Sequence, residues 1–358
     1  MADKIRVLIV DDSALVRQVL TSVLESSKDI EVVGAARDPI DAREKIKQLN
    51  PDVLTLDVEM PKMDGVTFLK NLMRLRPMPV VMISTLTEAG ADITLEALEV
   101  GAIDFVAKPK IDVKDALEDY TAEIIEKVKV AAKAKVREYK GSVDKLKPGK
   151  KLDAGAVLEK KTGNIRFKTT DKIVAIGAST GGTEAIKEVL ESLPANAPGI
   201  VISQHIPIAF SKAFTDRMNR TCQLTVCEPY DGQKIVPGHV YIAPGDMHLI
   251  VERNGAEYVC KLNDGPAVNR HKPSVDVMFR SVAQNVGPNA MGVMLTGMGA
   301  DGAQGMLEMK QQGAYNISQD EDSCVVWGMP GAAVKLGAVD KEFNLSHISR
   351  EILKHCAV

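Results

Sequence analysis

An α/β protein of two doubly wound domains is what the sequence predicts, and three observations point there. Short apolar runs alternate with helix-period stretches through the first 125 or so residues. The same alternation resumes beyond residue 171, broken by an antiparallel excursion around Asn254-Gly255. Between the two lies a segment of different composition: from Lys127 to Lys172 there are 15 Lys and Arg against 5 Asp and Glu, in a chain whose net charge is −3. The length of 358 residues agrees, at roughly 150 residues per domain. The expected boundaries are 1–125, 126–170 and 171–358.

Composition removes several classes. At 45% hydrophobic, 26% charged and 4% aromatic residues the chain is an ordinary globular one. No apolar run approaches the ~18 residues of a membrane span, and Met1-Ala-Asp-Lys-Ile-Arg leads directly into a strand-like run without a signal-peptide apolar core. The five cysteines form an odd set without disulfide-framework or metal-site spacing. A protein of the cytoplasm with reduced thiols is expected, not embedded in a membrane.

In the first domain the strands are expected at Ile5–Val10, Ile30–Ala35, Val53–Leu56, Val80–Ile83 and Phe105–Ala107, near-continuous apolar runs as buried parallel strands require. Ala14–Leu24 has helical period, with Leu15, Val19, Leu20 and Val23 on one side. The middle segment, with Gly141, Pro148, Gly149, Gly155 and Gly163, reads as a helix end followed by a flexible basic linker. One Tyr and one Phe in it, and no helix-turn-helix signal, argue against nucleic-acid binding. In the second domain strands are expected at Ile173–Ile176, Ile200–Ser203, Leu224–Cys227 and Met291–Leu295, and helices at Thr183–Leu190, Phe210–Asn219, Ser274–Val286 and Ala303–Gln311. Val240–Ile242, Leu249–Arg253 and Tyr258–Leu262 read as the antiparallel insertion.

Functional groups of a doubly wound sheet gather at the carboxyl ends of its strands. Asp11 and Asp12 end the first strand there, and Asp57 the third. Three carboxylates so close repel, and an oxygen-seeking divalent cation such as Mg²⁺ would relieve them. Lys108 after the fifth strand adds a positive group and Ser84 at the end of the fourth a hydroxyl. Helix capping would account for Asp12 or Asp57 singly. It does not account for the set, which suits a phosphoryl group carried on a carboxylate.

These residues carry a resemblance. Val10-Asp11-Asp12-Ser13, Leu56-Asp57-Val58-Glu59-Met60-Pro61-Lys62-Met63-Asp64-Gly65, Ser84-Thr85 and Lys108-Pro109 resemble the flavodoxin-like receiver domain of two-component response regulators. The resemblance implies that Asp57 accepts phosphate from a histidine kinase, that Asp11, Asp12, Asp57 and the Glu59 backbone carbonyl hold Mg²⁺, and that Lys108 contacts the phosphoryl oxygens. It also implies that Ser84 and Phe105 form the switch pair that relays phosphorylation.

In the second domain Ile173–Ile176 runs into Gly177-Ala178-Ser179-Thr180-Gly181-Gly182, a G-x-S-x-G turn that exposes a serine between strand and helix. Taken alone the turn also suits phosphate or dinucleotide binding. His205 decides against that, because it ends the next strand, and Asp301 lies where Met291–Leu295 turns into a helix. Nucleophile, base and orienting carboxylate converge on one sheet edge, as covalent hydrolysis requires. His347 and His355 would give the order Ser…Asp…His, but they are expected to follow no strand and to sit on a terminal helix. His239 and His248 belong to the insertion, with a structural or surface role expected. His271, in a polar loop before a helix, suits either substrate contact or structure.

Gly177 to Gly182, Gln204-His205-Ile206-Pro207, Ala243-Pro244-Gly245, Arg270-His271-Lys272-Pro273-Ser274-Val275-Asp276, Leu295 to Gly302, Gln319-Asp320 and Gly328-Met329-Pro330 together resemble the CheB family of chemotaxis protein-glutamate methylesterases. The resemblance covers both domains and leaves only about 140–170 unmatched. It implies hydrolysis of γ-glutamyl methyl esters on chemoreceptor cytoplasmic helices, deamidation of receptor glutamines, no cofactor in the esterase site, and restraint by the first domain until Asp57 is phosphorylated. Turn geometry and family together suggest oxyanion donors near His205 and Met298; Thr180 would support the nucleophile turn and Arg270 would meet the acidic receptor helix. The rival is a receiver whose output domain binds a nucleotide through residues 177–182, or nucleic acid through the linker, without catalysis.

Overall fold

A computed structural model describes residues 4–60, 63–85, 87–108, 114–136 and 172–356. Pro61, Lys62, Pro109 and most of the expected linker, 137–170, lie outside the described residues. The chain divides into two compact units, 1–141 and 142–358.

The first unit runs β1 (Ile5–Val10), α1 (Ala14–Glu25), β2 (Ile30–Ala36), α2 (Pro39–Leu49), β3 (Val53–Asp57), α3 (Gly65–Leu75), β4 (Val80–Ser84), α4 (Glu88–Val100), β5 (Asp104–Ala107) and α5 (Lys114–Ala131). All five strands are parallel, in the order β2-β1-β3-β4-β5. The strand runs are apolar because helices cover both faces of the sheet, and β3 and β4 are buried at every residue. Four of the helices start where a short polar side chain takes up a free N–H: Ser13 for α1, Asp38 for α2, Asp64 for α3 and Thr87 for α4. Helix α1 buries Leu20, Val23 and Leu24, whereas Leu15 is 52% exposed, contrary to the periodicity. Leu15 sits in the first turn of the helix, at the carboxyl edge of the sheet.

The second unit runs β6 (Ile173–Ala178), α6 (Gly182–Glu191), β7 (Gly199–Gln204), α7 (Ile208–Thr221), β8 (Thr225–Cys227), β9 (His239–Ile242), β10 (His248–Asn254), β11 (Glu257–Asn263), α8 (Val275–Asn285), β12 (Ala290–Met294), α9 (Ala303–Gln311), β13 (Tyr315–Gln319), α10 (Met329–Lys335), β14 (Lys341–Phe343) and α11 (Leu345–Cys356). Seven strands form one parallel sheet, in the order β14-β13-β12-β6-β7-β9-β8.

Two expectations need correction here. Val240–Ile242 is not part of an antiparallel excursion: β9 pairs in parallel with β7 and β8, and only β10 and β11 form the antiparallel hairpin. Both arrangements produce the same short apolar run, and only the partner distinguishes them. The C-terminal histidines do follow a strand, the three-residue edge strand β14, too short and too polar to show as a period. Strand β13 (Tyr-Asn-Ile-Ser-Gln) is also polar: Asn316 Nδ2 donates to Met306 O and Ala338 O, and Gln319 Oε1 accepts from Thr296 N–H, all in the interior.

The core of this unit lies between the sheet, the hairpin and α8, where Phe279, Met278, Val282, Tyr241, Leu249, Val251 and Cys260 are all within 1% of complete burial. Strand β6 is central. The chain goes from it to β7 on one side and later returns to β12 on the other, so β6 stands at the switch point of the topology, where doubly wound sheets open a crevice.

Candidate active site

The register of the sheet brings nucleophile and base together. Ala178, the last residue of β6, pairs with Gln204, the last of β7, so Ser179 and His205 leave the sheet side by side. His205 N–H donates to Ala178 O at 3.2 Å, and Ser179 N–H to Thr296 O at 3.1 Å, pinning the serine between both neighbouring strands. Gly181, at φ +75°, is the left-handed residue that turns the chain from β6 into α6. Gly297 permits the loop after β12 to close on the serine: a Cβ there would stand 2.9 Å from Ser179 Cβ.

His205 Nδ1 lies 3.1 Å from Ser179 Oγ, and His205 Nε2 lies 2.9 Å from Asp301 Oδ2. An ionised carboxylate only accepts, so Nε2 carries the ring proton and Nδ1 is free to take one from the serine. Asp301 is 3% exposed and crowded with donors. Its Oδ1 accepts from Asn269 Nδ2 at 2.7 Å and Ser274 Oγ at 2.8 Å, and its Oδ2 from Val275 N–H at 2.7 Å. Ser274 caps α8, so the carboxylate sits at a helix N-terminus. Burial alone would raise its pKa. The hydrogen bond and charge of His205, with the Asn269 and Val275 donors, take it down to about 2 instead, so it stays an anion.

Several of these supports escaped the sequence reading. Gln204 Nε2 donates to Ser179 O and to His205 O, each at 3.0 Å, clamping the two turns together. Thr296 N–H donates to Gln319 Oε1 at 2.8 Å and Thr296 Oγ1 to Thr180 O at 3.1 Å, fixing the loop under the serine. Gln204, Ser274 and Gln319 lie in recognisable motifs; Asn269 has no signal, since its carboxylate partners are 7 and 32 residues away.

The other expected residues sort as follows. His271 is brought to the site: its ring stacks on His205 with centroids 3.7 Å apart and planes 11° from parallel. Arg270 is exposed on the same turn at φ +69°, and Thr180 is buried beneath the nucleophile. Met298 follows Gly297, against Ser179. The His205 N–H itself is already spent on Ala178 O, which removes it from the donors expected near that residue. His248 is structural, with Nε2 at 2.9 Å from Pro266 O and Nδ1 accepting from Ser274 N–H. His239 begins β9, with Nδ1 3.1 Å from Pro237 O. His355 stacks on Tyr315, which begins β13 at the opposite edge from the triad.

In the first unit, Asp11, Asp12 and Asp57 offer carboxylate oxygens all within 4.8 Å of one another. Asp57 is fully buried, with Lys108 Nζ 2.8 Å from its Oδ2 and Glu59 N–H 3.1 Å from its Oδ1. Burial raises the Asp57 pKa to about 6, the neighbouring Asp11 adding to the rise and Lys108 opposing it. Asp11 is also raised, by burial first. Burial works against the Lys108 charge, yet the carboxylates around it hold its pKa above the ordinary value. Asp11 Oδ2 is a buried oxygen without a hydrogen-bond partner, 3.8 Å from Lys108 Nζ. Three carboxylates, one of them with an orphaned oxygen, suit a Mg²⁺ ion.

Ser84 and Phe105 do not meet the carboxylates. Ser84 Oγ lies 2.7 Å from Thr94 Oγ1 and bonds towards Gly90 O on α4. The Phe105 ring is buried, its carbonyl accepting from Lys127 Nζ at 2.6 Å with the ammonium 5.2 Å from the ring centre.

Comparison with known proteins follows the same division. Residues 174–352 match the CheB methylesterase family and residues 7–118 the response regulator receiver domain. A protein-glutamate methylesterase/protein-glutamine glutaminase of Hydrogenovibrio crunogenus is 61% identical over 98% of this chain and 98% of its own. One from Geobacter metallireducens is 55% identical over 97% and 95%. The crystal structure of the Thermotoga maritima CheB methylesterase catalytic domain is 36% identical, with a TM-score of 0.50, over 51% of this chain and 98% of that one. A non-catalytic nucleotide- or nucleic-acid-binding output domain is not supported. Among the described residues no helix is long and apolar enough to cross a membrane.

Proposed function

The chain belongs to the CheB methylesterase family, with a response regulator receiver domain ahead of the catalytic one, and from that premise we propose a phosphorylation-activated protein-glutamate methylesterase and protein-glutamine glutaminase. Its substrates are methylated glutamates and particular glutamines on the cytoplasmic helices of chemoreceptors, and its phosphodonor is the histidine kinase of the same system. Both act in the cytoplasm. The observation that carries this reading is the single imidazole of His205 bridging Ser179 and Asp301.

His205 Nδ1 takes the proton of Ser179 Oγ as the oxygen attacks the ester or amide carbonyl. Asp301 holds the ring in the tautomer that leaves Nδ1 free, and stabilises the imidazolium. The proton then passes to the departing methanol or ammonia, and water reverses the sequence on the glutamyl-enzyme. General-base action of this kind is worth about 10² to 10⁴ in rate. Backbone donors beside Met298 stabilise the oxyanion, each worth roughly 3 kcal/mol, while Thr180 supports the turn and Arg270 and His271 face the acidic receptor helix.

In the receiver Asp57 is the phosphoacceptor. Asp11, Asp12, Asp57 and the Glu59 carbonyl would hold Mg²⁺, which neutralises charge on the incoming phosphoryl group. Lys108 contacts the phosphoryl oxygens, and Ser84 and Phe105 pass the change on. The receiver is assigned to 1–125, the helix end and basic tether to 126–170, and the catalytic domain to 171–358.

Methanol release from methyl-labelled receptor membranes tests the reading, comparing the intact chain with Ser179→Ala, each with and without a phosphodonor and Mg²⁺. Release by the intact chain alone, rising with phosphodonor, is expected. Equal release by Ser179→Ala would overturn it.

A further inference from the structure

Both residues that support the nucleophile, His205 and Asp301, are gripped by one tight turn. Val268 N–H donates to His271 O at 3.0 Å and His271 N–H to Val268 O at 2.9 Å, closing a two-residue turn over Asn269 and Arg270. Both central residues are left-handed, at φ +53° and +69°, as the primed hairpin turn demands. Glycine usually fills the second central position, yet arginine stands here. A backbone held in that state by non-glycine residues at an active site is a reason to ask what it delivers.

It delivers two contacts. Asn269 Nδ2 donates to Asp301 Oδ1 and to Asp276 Oδ2, each at 2.7 Å. Two carboxylates facing one amide nitrogen require its two hydrogens, so the bridge is directional. Asp276 is itself tied to α9, its Oδ1 accepting from Gly305 N–H at 2.7 Å. Asp301 is therefore fixed to a second carboxylate that cannot drift. His271 acts on the other partner. The bonds from His205 to Ser179 and Asp301 leave its ring free to rock about the line joining its two nitrogens, and a ring lying flat at 3.7 Å stops that motion.

We propose that the Val268–His271 turn is the positioning element of the catalytic site, Asn269 setting the carboxylate of Asp301 and His271 setting the ring plane of His205. Neither residue touches the reacting atoms in this role. The proposal rests on the hydrolase reading of Ser179, His205 and Asp301, and gives Asn269 a function that the motif reading did not.

The test uses the full chain carrying Asn269→Gly, His271→Ala or His271→Phe. Glycine keeps the left-handed backbone and removes only the amide. Two readouts are taken: kcat and KM for methanol release from receptor membranes, and the low-field proton resonance of the His205 Nε2–H in its bond to Asp301. Asn269→Gly should lower kcat about tenfold, the size of one lost hydrogen bond, with KM within about twofold, and should move the resonance. His271→Ala should lower kcat, and His271→Phe should restore most of that loss. Wild-type kcat with an unmoved resonance in Asn269→Gly overturns the proposal, as does His271→Phe performing no better than His271→Ala. If the wild-type chain releases no methanol, the methylesterase reading fails, and the resonance alone decides the positioning role in the same two directions.

Discussion

His205 meets Asp301 through Nε2 and Ser179 through Nδ1, the reverse of the nitrogen assignment in the chymotrypsin arrangement. The ring is symmetric enough in function for either nitrogen to serve as base, provided the other is anchored. What matters is that the anchoring carboxylate stays ionised, and Asp301 is built for that.

Asp301→Asn should therefore lower kcat by about 10³ to 10⁴, since a neutral amide no longer selects the tautomer that frees Nδ1. The same change disturbs a carboxylate that accepts from Asn269, Ser274 and the Val275 N–H, so folding stability should drop by about 1 to 3 kcal/mol. Methanol release and urea unfolding measure the two effects separately. A variant with near-wild-type turnover would remove Asp301 from the mechanism.

The same carboxylate gives the catalytic unit a defined acid sensitivity. Its pKa is depressed to about 2 in the folded chain, so its contribution is complete above the unfolded value near 4 and is lost as pH falls towards 2. The amount is about 2 kcal/mol. Asp301→Asn should flatten that part of the stability curve, which urea midpoints between pH 4 and 2 would record.

Asp57 has the opposite sign. With its pKa raised to about 6, the folded receiver favours the protonated acid. The penalty is absent below about pH 4, grows as pH rises towards 6, and is complete at neutral pH, at roughly 3 kcal/mol in metal-free buffer. Asp57→Asn should raise the receiver's melting temperature at pH 7 and lose that advantage near pH 4. Mg²⁺ should narrow the gap by stabilising the wild type more, because the orphaned Asp11 oxygen and its two neighbours then have a cation to share. Equal Mg²⁺ responses in both chains would count against the proposed ligand set. The variant should also abolish stimulation of methanol release by a phosphodonor while keeping the basal rate.

Arg270→Gly should separate stability from recognition. A left-handed arginine costs about 1 to 2 kcal/mol relative to glycine, so the substitution should raise the unfolding free energy by about 1 kcal/mol, after the extra entropy of unfolded glycine is subtracted. Loss of an exposed cation facing an acidic receptor helix should raise KM for receptor membranes, more at low salt than at high. A salt-independent KM would exclude an electrostatic role for Arg270.

The sequence by itself determined most of the strand runs, several of the helices and the chemical groups at their ends. Burial on both faces leaves an unmistakable apolar run, and turn glycines flank Ser179 within a few residues of chain. Motif spacing also determined the family, because Asp11, Asp57, Lys108, Ser179, His205 and Asp301 each sit at a strand end that can be read locally. Tertiary structure alone decided the rest. It put β9 into the parallel sheet and β14 at its edge, because a short run does not encode its partner. It turned Ser84 towards Thr94, chose which nitrogen of His205 faces the serine, and brought Asn269 across 32 residues to Asp301. Such contacts depend on backbone direction and side-chain reach after packing, and no period or motif in one dimension carries them.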